Sequence, residues 1–377
     1  MESQNNTLFQ PISLGSIKVN NRIAMAPMTR SRTTEGDIPT PLMAEYYSQR
    51  AGAGLIITEG APISNSARGY SMTPGIYTEE QIEGWKLSTK AVHQKNGKIF
   101  VQLWHVGRRS HSSITGEKPW APSAIKVSDK VFGPLQEGGY GMIETEMPRA
   151  MNQNDIDTVI HDFTVAAKNA MEAGFDGVEI HGAHGYLIDQ FLRTTSNQRT
   201  DAYGGSQENR MRLLLEVVKS ISKSIGADKV AIRLSPFVSE GMGNEHDPEM
   251  PELTLKVLQQ LQPLGLAYIH FSENISDYKK VPEEFRKDIR NVYSNPIMVC
   301  GKYVKNTAET IIEKRYADVV AFGQDFITNP DLVYRLENNL PLTQLRSDSH
   351  STFYGGGAEG FTDYPTYQKM LEKELQY

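Results

Sequence analysis

The sequence predicts a single (β/α)8 barrel, and three observations carry that prediction. Eight short apolar runs recur along the 377 residues, helical periodicities separate them, and the runs end in loops rich in glycine and polar side chains. The runs are mostly continuous rather than alternating, the pattern of parallel strands covered on both faces. An open doubly wound sheet would carry a glycine-rich phosphate turn after its first strand, whereas PMTRSR follows here.

In order, the predicted strands are NRIAMAP (21–27), GLIITEG (54–60), IFVQLWH (99–105), GVEIHG (177–182), VAIRLSP (230–236), YIHFSE (268–273), PIMVCG (296–301) and ADVVAFG (317–323). The clearest helix is NDIDTVIHDFTVAAKNAMEAG, which places Ile156, Ile160, Phe163, Ala167, Ala170 and Met171 on one face and stops at Gly174. GSQENRMRLLLEVVKSISKSIG opens a second helix, with Ser206 as N-cap and Glu208 in the first turn. Before the first strand, residues 8–20 read as a hairpin that caps the barrel bottom. After the third strand, residues 106–150 form an excursion too long for a simple connection and read as an ordered lid. Residues 350–377 make a C-terminal tail.

Composition narrows the function. A net charge of −6 is not the basic footprint of a nucleic-acid binder. The N-terminus lacks a signal-peptide pattern, and no apolar run reaches the ~18 residues of a membrane span. One cysteine, Cys300, excludes a disulfide framework and any multi-cysteine metal or iron–sulfur site within the chain. The reading is a soluble cytoplasmic enzyme acting on a small molecule.

In such a barrel the chemistry gathers at the C-terminal strand ends. Those ends deliver Pro27, Met28 and Thr29; Gly60 and Ala61; Gln102, Trp104 and His105; His181, then His184 and Tyr186; Arg233; Ser272 and Glu273; Gly301; and Gly323 with Gln324. One cation, neutral hydrogen-bonding groups, aromatics and two glycine-bearing loops suit a flat, phosphate-bearing ligand. GKYVKNTAET and FGQDFITNPD stand where barrels often hold phosphate. Glu59, Glu179 and Glu273 leave paired-carboxylate chemistry open beside a structural role.

PMTR, VQLWHVGR, HGAHGYLIDQFLRTTSNQRTDAYGGSQENR, IRLSP, AFGQDFITNPDL and FYGGGAEGFTDYP together resemble the Old Yellow Enzyme family of FMN-dependent ene-reductases. The likeness runs from about residue 8 to about residue 366, with the motifs in family order. The resemblance implies that NADPH or NADH delivers a hydride to FMN. An electron-poor alkene then receives that hydride at its β-carbon and a proton at its α-carbon. The acceptors are α,β-unsaturated carbonyls, with nitro compounds or nitrate esters as further candidates.

The resemblance also assigns residues. His181 and His184 would hold the substrate oxygen as N–H donors, as an oxyanion hole does; a metal would need more ligands than this pair, so none is expected. Tyr186 would be the proton donor, since a phenol with the ordinary value near ~10 is protonated at neutral pH. Thr29, Gln102 and Arg233 would bind the flavin edges, the arginine favouring the negative charge of the reduced ring. Pro27, Met28 and Ala61 would touch the flavin through backbone or apolar surface, and Tyr70, Trp104 and Tyr354 would wall the substrate slot. The polar run from Arg193 and Thr194 to Gly205 is expected to hold the loop together rather than to react. One departure matters: the family has Gly-Arg on the FMN phosphate where this chain has Gly323-Gln324. Gln324 brings no charge, and Lys302 in the neighbouring loop after Gly301 is the expected compensation. A flavin-binding protein with little turnover is the other reading, and relatives of this family are monomers or homodimers.

Overall fold

In the computed structural model, which describes residues 7–238, 246–273, 281–345 and 350–375, eight parallel strands close into a barrel. They are β1 (Ile23–Met25), β2 (Leu55–Pro62), β3 (Ile99–Trp104), β4 (Gly177–Gly182), β5 (Val230–Leu234), β6 (Tyr268–Ser272), β7 (Ile297–Cys300) and β8 (Val319–Phe322). Each pairs with its neighbour in sequence, and β8 closes on β1 through Ala321↔Ala24. Every predicted strand is present, with β1 and β8 shorter than their apolar runs. The ends of those runs, Ala26 and Pro27 among them, already belong to the site loops.

The continuous apolar runs are explained by two packed faces. Ala24, Leu55, Ile57, Phe100, Ala231, Tyr268, Met298, Val319 and Ala321 form one core cluster with the hairpin residues Leu14, Ile17 and Val19. Ile23, Ile56, Val101, Val178, Ile232, Ile269, Val299 and Val320 belong to a second cluster that includes Phe163, Ala167 and Val217 of the helices. Period-two alternation therefore sorts large and small apolar residues between two cores, and both faces stay dry.

The hairpin Ile12–Leu14/Ile17–Val19 closes the bottom as predicted. Its turn fits only glycine: Gly15 has φ +56°, and a Cβ there would lie 1.9 Å from Asp228 O. The helix Gln153–Glu172 starts one residue before its predicted span, capped reciprocally by Asn152 and Asp155, and Gly174 follows with φ +86°. The second predicted helix is divided at Met211 into Gln207–Arg210 and Arg212–Ile225, although Ser206 does cap it. At this break Arg210 turns inward to Leu192 O and Gly205 O.

The excursion after β3 is built, not loose. It holds a short helix (Ser112–Thr115), a bridge between Trp120–Ala121 and Arg149–Ala150, and an antiparallel hairpin Lys130–Pro134/Tyr140–Glu144. The tail carries the helices His350–Phe353 and Tyr367–Glu374. Two arginines after β1 grip it. Arg30 donates to Phe353 O and Gly360 O, and Arg32 donates to Thr352 O, Phe353 O and Gly357 O. No described helix is long and apolar enough to cross a membrane.

Candidate active site

The loop after β4 turns back on itself through residues that seldom share a conformation. His184 has φ +58° and Gly185 φ +72°. Asp189 Oδ2 accepts the Gly185 N–H at 2.7 Å and Arg193 Nε at 3.0 Å, while Gln190 Nε2 donates to Gly185 O and Val106 O. The rest of the polar run does similar work: Thr194 donates to Asp247, Asn197 to Phe191 O and Tyr203 O, and Arg199 to Pro122 O and Met151 O. Backbone carbonyls that no helix or strand satisfies are met by side chains in this way.

That frame puts His181, His184 and Tyr186 together, all buried. The His181 ring lies 5.6 Å from that of His184 and 4.8 Å from that of Tyr186, both edge-on. Trp104 stacks at 16° on Tyr70, 5.4 Å between centroids, and meets Tyr186 edge-on at 4.9 Å. Tyr70 and Tyr186 hydroxyls are 3.4 Å apart. A bulge in β2 between Ile57 and Gly60 makes room for the indole, since a Cβ on Gly60 would come within 2.6 Å of it. Tyr354 stands at the rim, 47% exposed, its ring near Phe132 of the excursion hairpin.

Both histidines are held well below their ordinary pKa, first by burial and then by Arg233; Arg109 and His270 add to both, and His181 adds to His184. They are neutral, so each offers one N–H. His181 Nδ1 accepts from Ala183 N at 3.3 Å, which leaves the proton on Nε2. His184 Nε2 lies 2.7 Å from Ser272 Oγ, and Arg233 Nη2 donates to the same hydroxyl at 3.4 Å. Where Oγ accepts from Arg233 and donates its own proton to His184 Nε2, the imidazole N–H sits on Nδ1. Ser272 was visible in the sequence only as a polar strand end, and nothing in its spacing tied it to His184.

One step earlier on the same strands, Gln102 Nε2 donates to Glu179 Oε1 at 2.8 Å, and Glu179 also accepts from Tyr268 and His270. Burial pushes the Glu179 carboxyl up, but His270, Arg233 and Gln102 outweigh it and hold the value low. Glu59 Oε2 accepts the Arg30 and Ser31 N–H groups and so fixes the turn behind Met28 and Thr29. Glu273 pairs with Arg286 and Tyr303. The three glutamates thus belong to three separate networks, and the paired-carboxylate reading fails. No cluster of three metal-ligating side chains occurs among the described residues.

Pro27, Met28 and Thr29 are half-buried at the β1 end, with Ala61 buried beside them on β2. A Cβ on Gly323 would lie 3.4 Å from the Met28 sulfur, so the first and last strand ends are in contact. Lys302 and Gln324 are exposed on loops leaving adjacent strands, by the register Cys300↔Ala321. Arg233 Nε is buried with no hydrogen-bond partner among the described residues. A guanidinium nitrogen left in this state fits the electron-rich edge of a flat heterocycle.

A barrel with an arginine whose Nε is unpartnered among the described residues, a glutamine, neutral histidines and a tyrosine at its strand ends fits a flavin-dependent oxidoreductase. The chain belongs to the NADH:flavin oxidoreductase / NADH oxidase family, whose model matches residues 7–343, and within it to the Old Yellow Enzymes. A putative 12-oxophytodienoate reductase 11 of Oryza sativa subsp. japonica is 41% identical over 95% of this chain and 97% of its own length. Morphinone reductase superposes with a TM-score of 0.93 at 43% identity, covering 98% of this chain and 99% of its own. The Zymomonas mobilis old yellow enzyme homologue follows at TM-score 0.89 and 39% identity, covering 95% and 99%. The protein is therefore an FMN-dependent NAD(P)H ene-reductase.

Proposed function

We propose that His181 Nε2 and His184 Nδ1 together hold the carbonyl oxygen of a conjugated ketone and stabilise the negative charge that grows there. The carrying observation is the pair of buried, neutral imidazoles, one against Ala183 N and the other against Ser272 Oγ. Because the donors are fixed before substrate arrives, little reorganisation opposes the charge. Tyr186 O–H, on the same loop, supplies the proton to the α-carbon. Trp104 and Tyr70 form the slot wall, Tyr354 its rim, and the 106–150 excursion its lid.

FMN, when bound, supplies the hydride it has taken from NADPH or NADH. Arg233 and Gln102 would hold its pyrimidine edge, Thr29 its opposite carbonyl, and Pro27, Met28 and Ala61 its faces. Lys302, Gly301, Gly323 and Gln324 would surround its phosphate. Relatives are named as reductases of 12-oxophytodienoate and of morphinone; a ketone conjugated to a ring double bond is the substrate class proposed for this chain.

The test is an anaerobic spectrum of the FMN-loaded protein, with NADPH or NADH added until the flavin band bleaches, followed by 2-cyclohexenone. Return of the band, lost in H181A/H184A, supports the reading. Unchanged reoxidation in that double variant removes the histidines from the site.

A further inference from the structure

Arg109 lies in the first turn of the excursion, outside every assigned role, yet its side chain is buried against the catalytic cluster. Its guanidinium carbon sits 4.7 Å from the centroid of the Tyr186 ring. Nη1 donates to His184 O at 3.0 Å, and Nε donates to Asp129 Oδ2 at 2.8 Å, immediately before the lid hairpin. One buried cation is thus shared by the turn that carries His184, the face of the tyrosine and the lid. The other polar groups near this ring are Tyr70, His181, His184 and, at the rim, Tyr354.

We propose that Arg109, anchored by Asp129, is a positioning residue that stabilises the phenolate left on Tyr186 when its proton passes to the substrate. The inference rests on Tyr186 being the donor. In that step the Tyr186 O–H bond breaks and a C–H bond forms at the α-carbon from the electron pair of the enolate. The phenolate regains its proton from solvent. A cation over a neutral phenol meets only the ring quadrupole. Over a phenolate it meets a charge delocalised into the ring, in surroundings that screen it poorly. The attraction is therefore larger after proton transfer than before it, which is the condition for accelerating that step. Asp129 keeps the guanidinium in place without touching the tyrosine.

Removal of the charge should leave flavin reduction by NADPH intact and slow the protonation-dependent reoxidation by 2-cyclohexenone, on the order of tenfold. R109M, R109K and Y186F, each loaded with FMN and checked by thermal melting, would be compared by stopped-flow in H2O and D2O. The expected result is slower reoxidation in R109M with an enlarged solvent isotope effect, and recovery of most of the rate in R109K. R109K as slow as R109M, or R109M slow with an unchanged isotope effect, would show a packing role and overturn the proposal. R109M reoxidised like the unmodified enzyme while Y186F is slow would overturn this inference alone. Y186F reoxidised normally would remove the donor assignment and the inference with it.

Discussion

Ser272 Oγ lies 2.7 Å from His184 Nε2 and 3.4 Å from Arg233 Nη2, so one hydroxyl joins the proposed substrate donor to the arginine proposed for the flavin edge. The charge on Arg233 is thereby coupled to the proton position on His184. Replacing Ser272 by alanine removes the hydroxyl held against His184 Nε2. S272A should lose about tenfold in kcat/KM for 2-cyclohexenone, the ~1–1.5 kcal/mol of one hydrogen bond. S272T, which keeps the hydroxyl, should retain most of it. Equal kinetics in S272A and the unmodified enzyme would mean that His184 holds its tautomer without help.

Much of this site was legible because a barrel obliges strand ends to carry the chemistry. The motif around His181 fixed the order of the residues, and the glycines marked the loops. Legibility stopped where contact depends on the return of a long connection. Arg109 and Asp129 are 20 positions apart on the excursion, and no period relates them to Tyr186. Glu179 offered two meanings until its three partners, from β3 and β6, were placed around it. The same limit hid the break at Met211, since the helical period of the run continues through it and only the tertiary partners of Arg210 reveal the turn.

The buried imidazoles predict acid sensitivity. Burial drives His105 down to about 3 and lowers His181, His184 and His270 as well. Unfolded, each would bind a proton below about 6.5. The unfolded chain thus holds more protons in that range, so stability is fully present above ~6.5 and falls as pH drops toward the folded values. The slope is about 1.4 kcal/mol per pH unit for each such histidine. Tm measured from pH 7.5 to 5 should show a plateau and then a decline, less steep in H105Q. A flat Tm across that range would contradict the neutral, buried assignment.

Gly60 predicts a steric test of the slot wall. The bulge in β2 leaves no space for a methyl group, because a Cβ would approach Trp104 to 2.6 Å. G60A must displace the indole from its present seat between Tyr70 and Tyr186. Enone turnover should drop at least about tenfold, the order of loss that a small misplacement of a positioning group produces. Near-UV circular dichroism should report the displaced tryptophan. Normal turnover with an altered tryptophan signal would show that Trp104 does not shape the slot.

At the proposed phosphate end, Gln324 stands where the family resemblance implies an arginine. Gln324 opens the short helix after β8 and has no charge, whereas Lys302 is exposed on the loop after the adjacent strand β7. A flexible ammonium in water attracts a phosphate dianion weakly and in a salt-dependent way. K302A should therefore raise the dissociation constant for FMN only about threefold to fivefold. Q324R, which offers a planar fork to the phosphate oxygens, should lower it by more than that. If both groups share one phosphate, Q324R should also blunt the effect of K302A, because an arginine already in place leaves less for the lysine to contribute. Flavin fluorescence quenching on the apoprotein, at low and high ionic strength, measures all three. An FMN affinity that ignores both K302A and added salt would mean that Lys302 does not reach the phosphate and that backbone N–H groups of the two loops hold it.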